Sequence, residues 1–358
     1  MRRLPALLLI AVLAACASQA PSGLQTFHVE HKVDALDLRG PGGLTFDQEI
    51  GAVMMVGFRG ELTPAILDDW RQHQYGGLLV VNENGNPDPA SYIRQLRAVS
   101  RHRLLAATDQ EGGTVCLALA SVPCEASARD VGGPTAAQAA MTRMSRALGA
   151  QGFDVNLSPV ADVWAGGNPF MRDRTYGGDP AAVSIDVTAA VAGVHAAGLL
   201  SAAKHFPGHG SADGNSHYLL PAVMEDSGTL QTRDWPPFRA ATAAGVDFVM
   251  VAHLNVPALD AAEPTSLSPV VMRAIREQIG FRGVIISDDM QMGGLTSQVS
   301  TPEGAVRFLA AGGDMVIVAH DPSVYQATYA AIKAAVDGGR LPRQRLDDAV
   351  SHILALRT

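Results

Sequence analysis

The sequence predicts an α/β protein with a (β/α)8 TIM-like barrel in a single domain and no C-terminal sandwich domain. Three observations support this: eight short apolar runs, Ala-rich amphipathic stretches between most of them, and ionisable residues at the ends of several runs. A doubly wound open sheet is the main alternative, because periodicity alone does not distinguish it from a barrel.

Each apolar run has the length of a buried strand. The predicted strands are residues 52–56, 77–81, 104–108, 154–159, 201–206, 247–252, 283–287 and 314–318. The helical patterns cover residues 134–151, 180–197, 230–244, 269–279 and 302–311, with 322–337 and 346–356 after the last strand. Proline near several of these starts suits the first helical turn. Since no repeat or long linker interrupts the pattern, we predict one folded domain, residues 39–358.

Six of the predicted strands end on a group that can ionise or donate a hydrogen bond. These groups are Asp109, Asp162, His205, His253, Asp288 and His320. A single charged residue at a strand end is usually a solvated terminus or a helix cap. In a barrel, however, the carboxyl ends of the strands converge on one mouth, so six such groups predict a site there.

Composition narrows the class of protein. The chain has 358 residues, of which 47% are hydrophobic and 17% charged, so a packed globular core is expected. The net charge of -8, with no basic cluster to offset it, argues against a nucleic-acid partner.

The amino-terminal sixteen residues, MRRLPALLLIAVLAAC, carry two arginines before a short apolar core and are predicted to be a lipoprotein signal peptide, residues 1–16. LAAC resembles a bacterial lipobox, in which Cys16 is lipidated; an ordinary secretory signal peptide is the alternative. Residues 17–38 then form a tether. This predicts an exported protein on the periplasmic face of the cell envelope that touches the membrane only through its lipid. Ala17 after the cysteine suits the outer membrane.

Two further cysteines, Cys116 and Cys124, lie close together in the sequence. In an exported protein they are compatible with a local disulfide, and two buried free thiols are the equal alternative.

The segment KHFPGHGSADGNSHYLLP, residues 204–221, places His205, His209, Asp213 and His217 four residues apart. On a helix this spacing would form a metal site. The intervening prolines and glycines oppose a helix, so we predict a strand end that leads into a flexible loop, with no metal and no other cofactor.

Two other segments carry candidate groups. GVIISDDMQMGGL, residues 283–295, ends a strand with Asp288 and Asp289, and strand alternation predicts that only one of them faces the mouth. By themselves these aspartates are more often a cap or an ion pair. FMRDRTYGGDP, residues 170–180, offers Arg172 and Arg174 for a substrate hydroxyl or carboxylate, although a loop arginine is more often a surface charge.

Together these segments resemble glycoside hydrolase family 3, in its single-domain bacterial β-N-acetylglucosaminidase branch, from about residue 46 to the carboxyl terminus. The matching motifs are DQEGG, NLSPVADV, RTYGGDP, KHFPGHG, NSHYLLP, AHLNVPALD, GFRGVIISDDM and AAGGDMVIV. The resemblance implies a β/α barrel and a retaining hydrolase that removes terminal β-linked N-acetylglucosamine.

The resemblance also implies roles for individual residues. Asp288 matches the nucleophile and His217 the general acid/base, carried on a loop. Residues that match the sugar-binding groups are Asp109, Arg174, Lys204 and His205. An imidazole titrates near neutral pH without special burial, so it can serve as acid and then as base.

The sequence departs from the family pattern at three positions. Asn215 stands where an aspartate usually orients the catalytic histidine; its carbonyl can accept the imidazole N–H, and Asp213 is a candidate substitute. Thr114 and Leu117 stand where arginines usually help to bind substrate. These changes bear on the level of activity and on how the leaving group is held.

We therefore expect a monomeric, lipid-anchored β-N-acetylhexosaminidase that acts on an N-acetylglucosamine-containing oligosaccharide from peptidoglycan. The alternatives are a weakly active or inactive lipoprotein that binds wall fragments, a phosphorylase variant of the same mechanism, and a metal hydrolase using the histidine-rich loop.

Overall fold

The computed structural model describes residues 40–117 and 119–356, and its eight strands close into a parallel barrel in chain order. The strands are β1 Met54–Val56, β2 Gly77–Leu79, β3 Leu105–Thr108, β4 Val155–Asn156, β5 Leu200–Phe206, β6 Phe248–Val251, β7 Val284–Asp289 and β8 Met315–Val318. Closure rests on the pairing of β1 with β8, in which Met55 lies opposite Ile317. The predicted barrel is confirmed, and the open sheet is excluded.

Helices surround the strands on the outside of the barrel. They are α1 Phe46–Ala52, α2 Pro64–His73, α3 Pro89–Val99, α4 Pro134–Ala150, α5 Pro169–Arg172, α6 Pro180–His195, α7 Ser227–Thr229, α8 Pro236–Ala243, α9 Pro269–Ala274, α10 Gly293–Thr296, α11 Thr301–Ala311, α12 Pro322–Asp337 and α13 Arg343–Leu354. Every residue of β6 and β8 is buried, because one face of each strand packs into the barrel interior and the other against these helices.

Helix starts follow the sequence closely. Asp88, Asp179 and Asp321 each precede a proline, and each carboxylate accepts a hydrogen bond from a main-chain N–H in the first turn of α3, α6 or α12. Such a cap satisfies a donor that the helix itself leaves unpaired, while the proline lacks the N–H that would need a partner.

The prediction missed α1, α2 and α3. The first of these has only seven residues, too few for a periodic signal, and α2 buries only Asp69 and Trp70, so its apolar stripe is weak. Two predicted helices are also interrupted: π-helical turns occupy Leu230–Asp234 and Ile275–Ile279. The last helix begins at Arg343, before the predicted residue 346.

Cys116 and Cys124 form a disulfide bond, with their Cα atoms 5.7 Å apart. It closes part of the loop between β3 and α4. The Asn82 side-chain amide donates to the main-chain carbonyl of Cys116 at 2.6 Å, which ties this loop to the end of β2.

The predicted signal peptide, the lipidated Cys16 and the tether lie outside the described residues. Within residues 40–117 and 119–356, none of the helices has both the length and the apolar character needed to cross a membrane.

Candidate active site

A cavity of about 540 Å³ opens at the carboxyl end of the barrel. Its wall includes all the predicted catalytic and sugar-binding residues except Asn215, namely Asp109, Arg174, Lys204, His205, His217 and Asp288. They come from the ends of β3, β5 and β7 and from the loops after β4 and β5. The structure thus brings together residues that are far apart in the sequence.

Glu111 is the centre of the charged cluster in this cavity. Both of its carboxylate oxygens accept from the Arg174 guanidinium at 2.8 Å, and the Lys204 ammonium lies 2.7 Å from one of them. Burial raises the pKa of Glu111, but Arg174 and Lys204 outweigh this effect and hold the pKa well below its usual value. Glu111 therefore stays ionised and fixes both cations.

Lys204 also bonds Asp109, whose side chain remains 28% exposed and faces the cavity. Arg174 lies with its guanidinium carbon 4.7 Å from the centre of the Phe170 ring. The Phe170 ring thus covers one face of the planar guanidinium, while Glu111 binds its N–H groups. The cluster is thereby rigid while Asp109 keeps an open oxygen for a ligand.

His205 is held by partners on both ring nitrogens. Its Nδ1 lies 2.7 Å from the fully buried Asp162 carboxylate, and its Nε2 lies 3.2 Å from Arg174. A guanidinium can only donate, so Nε2 accepts and Nδ1–H donates to Asp162. Asp162 also accepts from the main-chain N–H groups of His205 and His209, at 3.1 and 2.6 Å, and so anchors the start of the loop after β5.

Asp288 lies near the end of β7, half-buried in the cavity wall. One oxygen accepts from the Asp289 main-chain N–H at 2.8 Å. Burial raises the pKa of Asp288, but the imidazoles of His205 and His253 and the Asp289 N–H together lower it below its ordinary value. The carboxylate is therefore ionised near neutral pH, as a nucleophile requires.

Asp289 also lines the cavity, so the expectation that only one of the two aspartates faces the mouth was wrong. The pairing of β7 with β8 shifts register between Ile286 and Asp289, which interrupts the regular alternation of side chains. The carboxylate of Asp289 is nevertheless engaged: it accepts from the Ala319 main-chain N–H at 3.1 Å and lies 3.2 Å from His320 Nε2.

His217 lies on the exposed loop between β5 and α7, and its ring packs edge-on against Phe170 at a centroid distance of 5.9 Å. The loop is attached to α10, where Gly293 N–H donates to the His217 carbonyl at 3.1 Å. Within the described part of the chain, no protein hydrogen bond reaches the His217 ring nitrogens, so the imidazole is placed by its main chain and by ring contacts with Phe170 and Tyr218.

The expected contact between Asn215 and the imidazole is replaced by a different one. Asn215 Oδ1 accepts from the main-chain N–H of His217 at 3.0 Å and so shapes the turn rather than the ring tautomer. Asp213, the suggested substitute, accepts from the Ala222 main-chain N–H at 2.7 Å, across the loop from His217. Side chains this short satisfy the nearest main-chain donors in a turn.

Leu117 lies in the segment closed by the disulfide and Thr114 just before it, and both line the cavity. Leu117 is buried, with its main-chain N–H donating to Gln110 Oε1 at 2.7 Å. This part of the wall presents uncharged side chains to a ligand, as the sequence departures suggested.

The sequence prediction missed Glu111 and Phe170 and gave Asp162 no role. Glu111 belongs to the quoted DQEGG motif, and Asp162 was among the six strand-end groups. Their roles depend on partners more than forty residues away, Arg174 and His205, and no local pattern specifies such pairings.

Comparisons with known proteins agree with this geometry. The profile of the glycosyl hydrolase family 3 N terminal domain matches residues 45–356. A β-hexosaminidase from Stenotrophomonas maltophilia (strain K279a) is 31% identical over 294 residues, 78% of this chain and 86% of that protein.

Two solved structures show the same fold. A family 3 β-N-acetylglucosaminidase from Paenibacillus sp. str. FPU-7 matches with a TM-score of 0.83 and 32% identity, over 87% of this chain and 62% of that chain. A β-N-acetylhexosaminidase from Beutenbergia cavernae DSM 12333 matches with a TM-score of 0.79 and 28% identity, over 87% and 98%. This chain therefore spans less than two thirds of the first protein and nearly all of the second.

A closed barrel with a cavity of carboxylates and imidazoles at its carboxyl end is typical of β/α-barrel enzymes. The chain belongs to glycoside hydrolase family 3. Its matches make it a glycoside hydrolase of the β-N-acetylhexosaminidase type.

Proposed function

We propose that this enzyme is a retaining exo-β-N-acetylglucosaminidase, with Asp288 as nucleophile and His217 as general acid/base. The observation that carries the proposal is that an ionised carboxylate on β7 and a loop imidazole line the same cavity of about 540 Å³. Retention requires a nucleophile and an acid/base close enough to reach one sugar bond.

In the first step an Asp288 oxygen attacks the anomeric carbon and the glycosidic bond breaks. His217 gives its proton to the departing oxygen, and a covalent glycosyl-enzyme forms. In the second step His217 takes a proton from water, whose oxygen attacks the same carbon and releases Asp288. Two inversions give net retention.

The charged cluster would bind the sugar. Asp109 has an open carboxylate oxygen, and Lys204 and Arg174 are fixed by Glu111 at its side. His205 is held by Asp162. Preorganised groups of this kind bind hydroxyls without the cost of ordering themselves during the reaction.

The lipid anchor, the export and a peptidoglycan-derived substrate belong to the same proposal. They are supported by the signal-peptide pattern and Cys16, and by the resemblance of the cavity residues to the N-acetylglucosaminidase branch. Labelling with a radioactive or clickable fatty acid, lost in Cys16→Ser, tests the anchor independently of activity.

One observation favours a second candidate, a weakly active protein that binds wall fragments. In the described residues, the side chains of Asn215 and Asp213 bond main-chain groups and not the His217 ring. Turnover of 4-nitrophenyl N-acetyl-β-glucosaminide separates the two candidates, since a binding protein would retain affinity without releasing nitrophenol.

The decisive experiment traps the intermediate with a fluorinated N-acetylglucosamine analogue and locates the label by mass spectrometry. We expect the label on Asp288, no label in Asp288→Asn, and normal labelling in Asp247→Asn, a control at the opposite end of the barrel. Label on another residue, or rapid turnover without any trapped species, would contradict the proposal.

A further inference from the structure

One side chain joins the two ends of the loop that carries His217. Arg233, in the π-helical turn after α7, donates from one terminal nitrogen to Ser211 Oγ and to Glu225 Oε1, each at 3.0 Å. Ser211 lies near the beginning of this loop and Glu225 near its end. A single guanidinium therefore closes the segment in which His217 lies.

Arg233 is itself held in place by its neighbour Asp234. The Asp234 carboxylate accepts from Arg233 Nε at 3.2 Å and lies 2.9 Å from the same terminal nitrogen, which shares its two N–H groups among Asp234, Ser211 and Glu225; the Asp234 side chain is fully buried. Such a two-point contact fixes the plane of a guanidinium as well as its position. The group that closes the loop is therefore rigid.

The start of the loop also packs directly on Asp234. Gly208 has a φ of 126°, and a Cβ added there would lie 2.7 Å from the Asp234 Cβ. Only glycine permits this backbone to lie so close to the buried carboxylate. The Arg233–Asp234 pair thus contacts the loop at Gly208, Ser211 and Glu225.

This attachment matters because the His217 ring depends on its main chain for position. The ring is exposed, and the next residue, Tyr218, is 81% exposed. Contacts of the loop with α10 hold the main chain of Ser216 and His217, while Arg233 joins the two ends of the segment. Asp213 and Ala222 also bond across the loop inside this segment, so loss of the Arg233 contacts frees its outer ends and lets the imidazole shift relative to the cavity.

We propose that Arg233 is a positioning residue for the acid/base step, which it supports by closing the ends of the loop that presents His217. This inference rests on the proposed function of His217. It assigns Arg233 no contact with the substrate.

The test compares kcat/KM for aryl N-acetyl-β-glucosaminides that carry poor or good leaving groups. A phenol leaving group needs a proton from His217, whereas a dinitrophenol leaves without one. In Arg233→Gln we expect kcat/KM to fall roughly 10- to 100-fold for the phenyl substrate and less than about threefold for the dinitrophenyl substrate. An equal fall for both substrates would show a general structural role and overturn the inference.

Two further variants keep the inference testable if Arg233→Gln does not fold. The double variant S211A/E225A removes both loop partners and leaves the Arg233–Asp234 pair intact, so the same dependence on leaving group is expected. Arg97→Gln breaks an ion pair with Asp154 at the opposite end of the barrel, at a nitrogen–oxygen distance of 2.6 Å, and should leave both substrates unaffected. If S211A/E225A behaves like Arg97→Gln, the inference is wrong.

His217→Ala separates this inference from the proposed function. If His217→Ala shows the dependence on leaving group and the loop variants do not, only the role of Arg233 fails. If His217→Ala lacks the dependence, the acid/base assignment fails, and the role of Arg233 fails with it.

Discussion

Aspartates occupy both ends of this barrel and have different tasks there. At the amino end, Asp154, Asp247 and Asp314 each precede an even-numbered strand, β4, β6 or β8. Each accepts at 2.8 Å from a main-chain N–H at the start of the preceding strand. These hydrogen bonds join neighbouring strands, and each carboxylate also lies within ion-pair distance of an arginine or a histidine.

At the carboxyl end, Asp109 and Asp288 keep oxygens available, whereas Glu111, Asp162 and Asp289 are bound by other protein groups. The Asp288 carboxylate accepts only the Asp289 N–H among the described residues, and Asp109 is held by Lys204 but remains partly exposed. The comparison shows that residue type does not separate structural from chemical aspartates. What separates them is how many protein groups bind the carboxylate: among the described residues, two or more groups bind Asp154, Asp247 and Asp314, and one group binds each of Asp109 and Asp288.

The largest expected effect is that of Asp288→Asn. Since an amide does not attack the anomeric carbon, we expect kcat to fall roughly 10⁴-fold. The free energy of unfolding should change by less than about 1 kcal/mol, because few protein contacts are lost. Steady-state kinetics and urea unfolding measure the two quantities. If Asp288→Asn retains activity but unfolds at a lower urea concentration than the original protein, Asp288 has a structural role like that of the aspartates at the amino end.

At the amino end of the barrel, Asp314→Asn should lower the stability of the fold and leave kcat almost unchanged, the reverse of Asp288→Asn. Arg276, Arg345 and His352 converge on this fully buried carboxylate, and its loss leaves the charges of the two arginines uncompensated. We expect the free energy of unfolding to fall by about 3–5 kcal/mol, with kcat of the folded protein within about twofold of the original. Loss of kcat without loss of stability would break the distinction between the two ends.

The histidines at the two ends of the barrel also differ in their surroundings. At the amino end, His195 and His352 lie within 2.8 and 2.9 Å of carboxylates. Near the mouth, His209 is buried between Asn168 and Ser216. Burial, and then the nearby His205, lower the pKa of His209 from 6.5 to about 4.

The sign of the pH effect follows from proton binding. Between about pH 6.5 and 4 the unfolded chain binds a proton at His209 that the folded protein does not, so stability falls as the pH falls through this window. The expected loss is roughly 3 kcal/mol. Urea unfolding across this window should be less pH-dependent for His209→Gln than for the original protein, and parallel curves would contradict the assignment.

Much of the fold was predictable because its signals are local. All eight strands were found from apolar runs, and α12 was found with its bounds of Pro322 and Asp337. The helices α1 and α2 were missed because one is short and the other buries few residues. Two aspartates adjacent in β7 were misjudged, since a register shift with β8 cannot be inferred from β7 alone.

The site was predictable in position and less so in its contacts. Strand ends converge in any barrel, which is why Asp109, His205 and Asp288 were found as neighbours. Glu111 escaped notice because its importance depends on Arg174, sixty-three residues away. Asn215 was expected to bond an imidazole, but a nearer main-chain donor took its oxygen.

The irregular pairing of the last two strands has a consequence for how much of the chain the chemistry needs. Ala319 and His320, directly after β8, bind the Asp289 carboxylate, and the Asp289 main-chain N–H donates to the Asp288 carboxylate. A protein truncated before β8 would lose the contacts of Ala319 and His320 with Asp289 as well as the closure of the barrel, even if the remaining strands still assembled. The carboxyl-terminal segment therefore helps to position the aspartates of the cavity as well as closing the barrel.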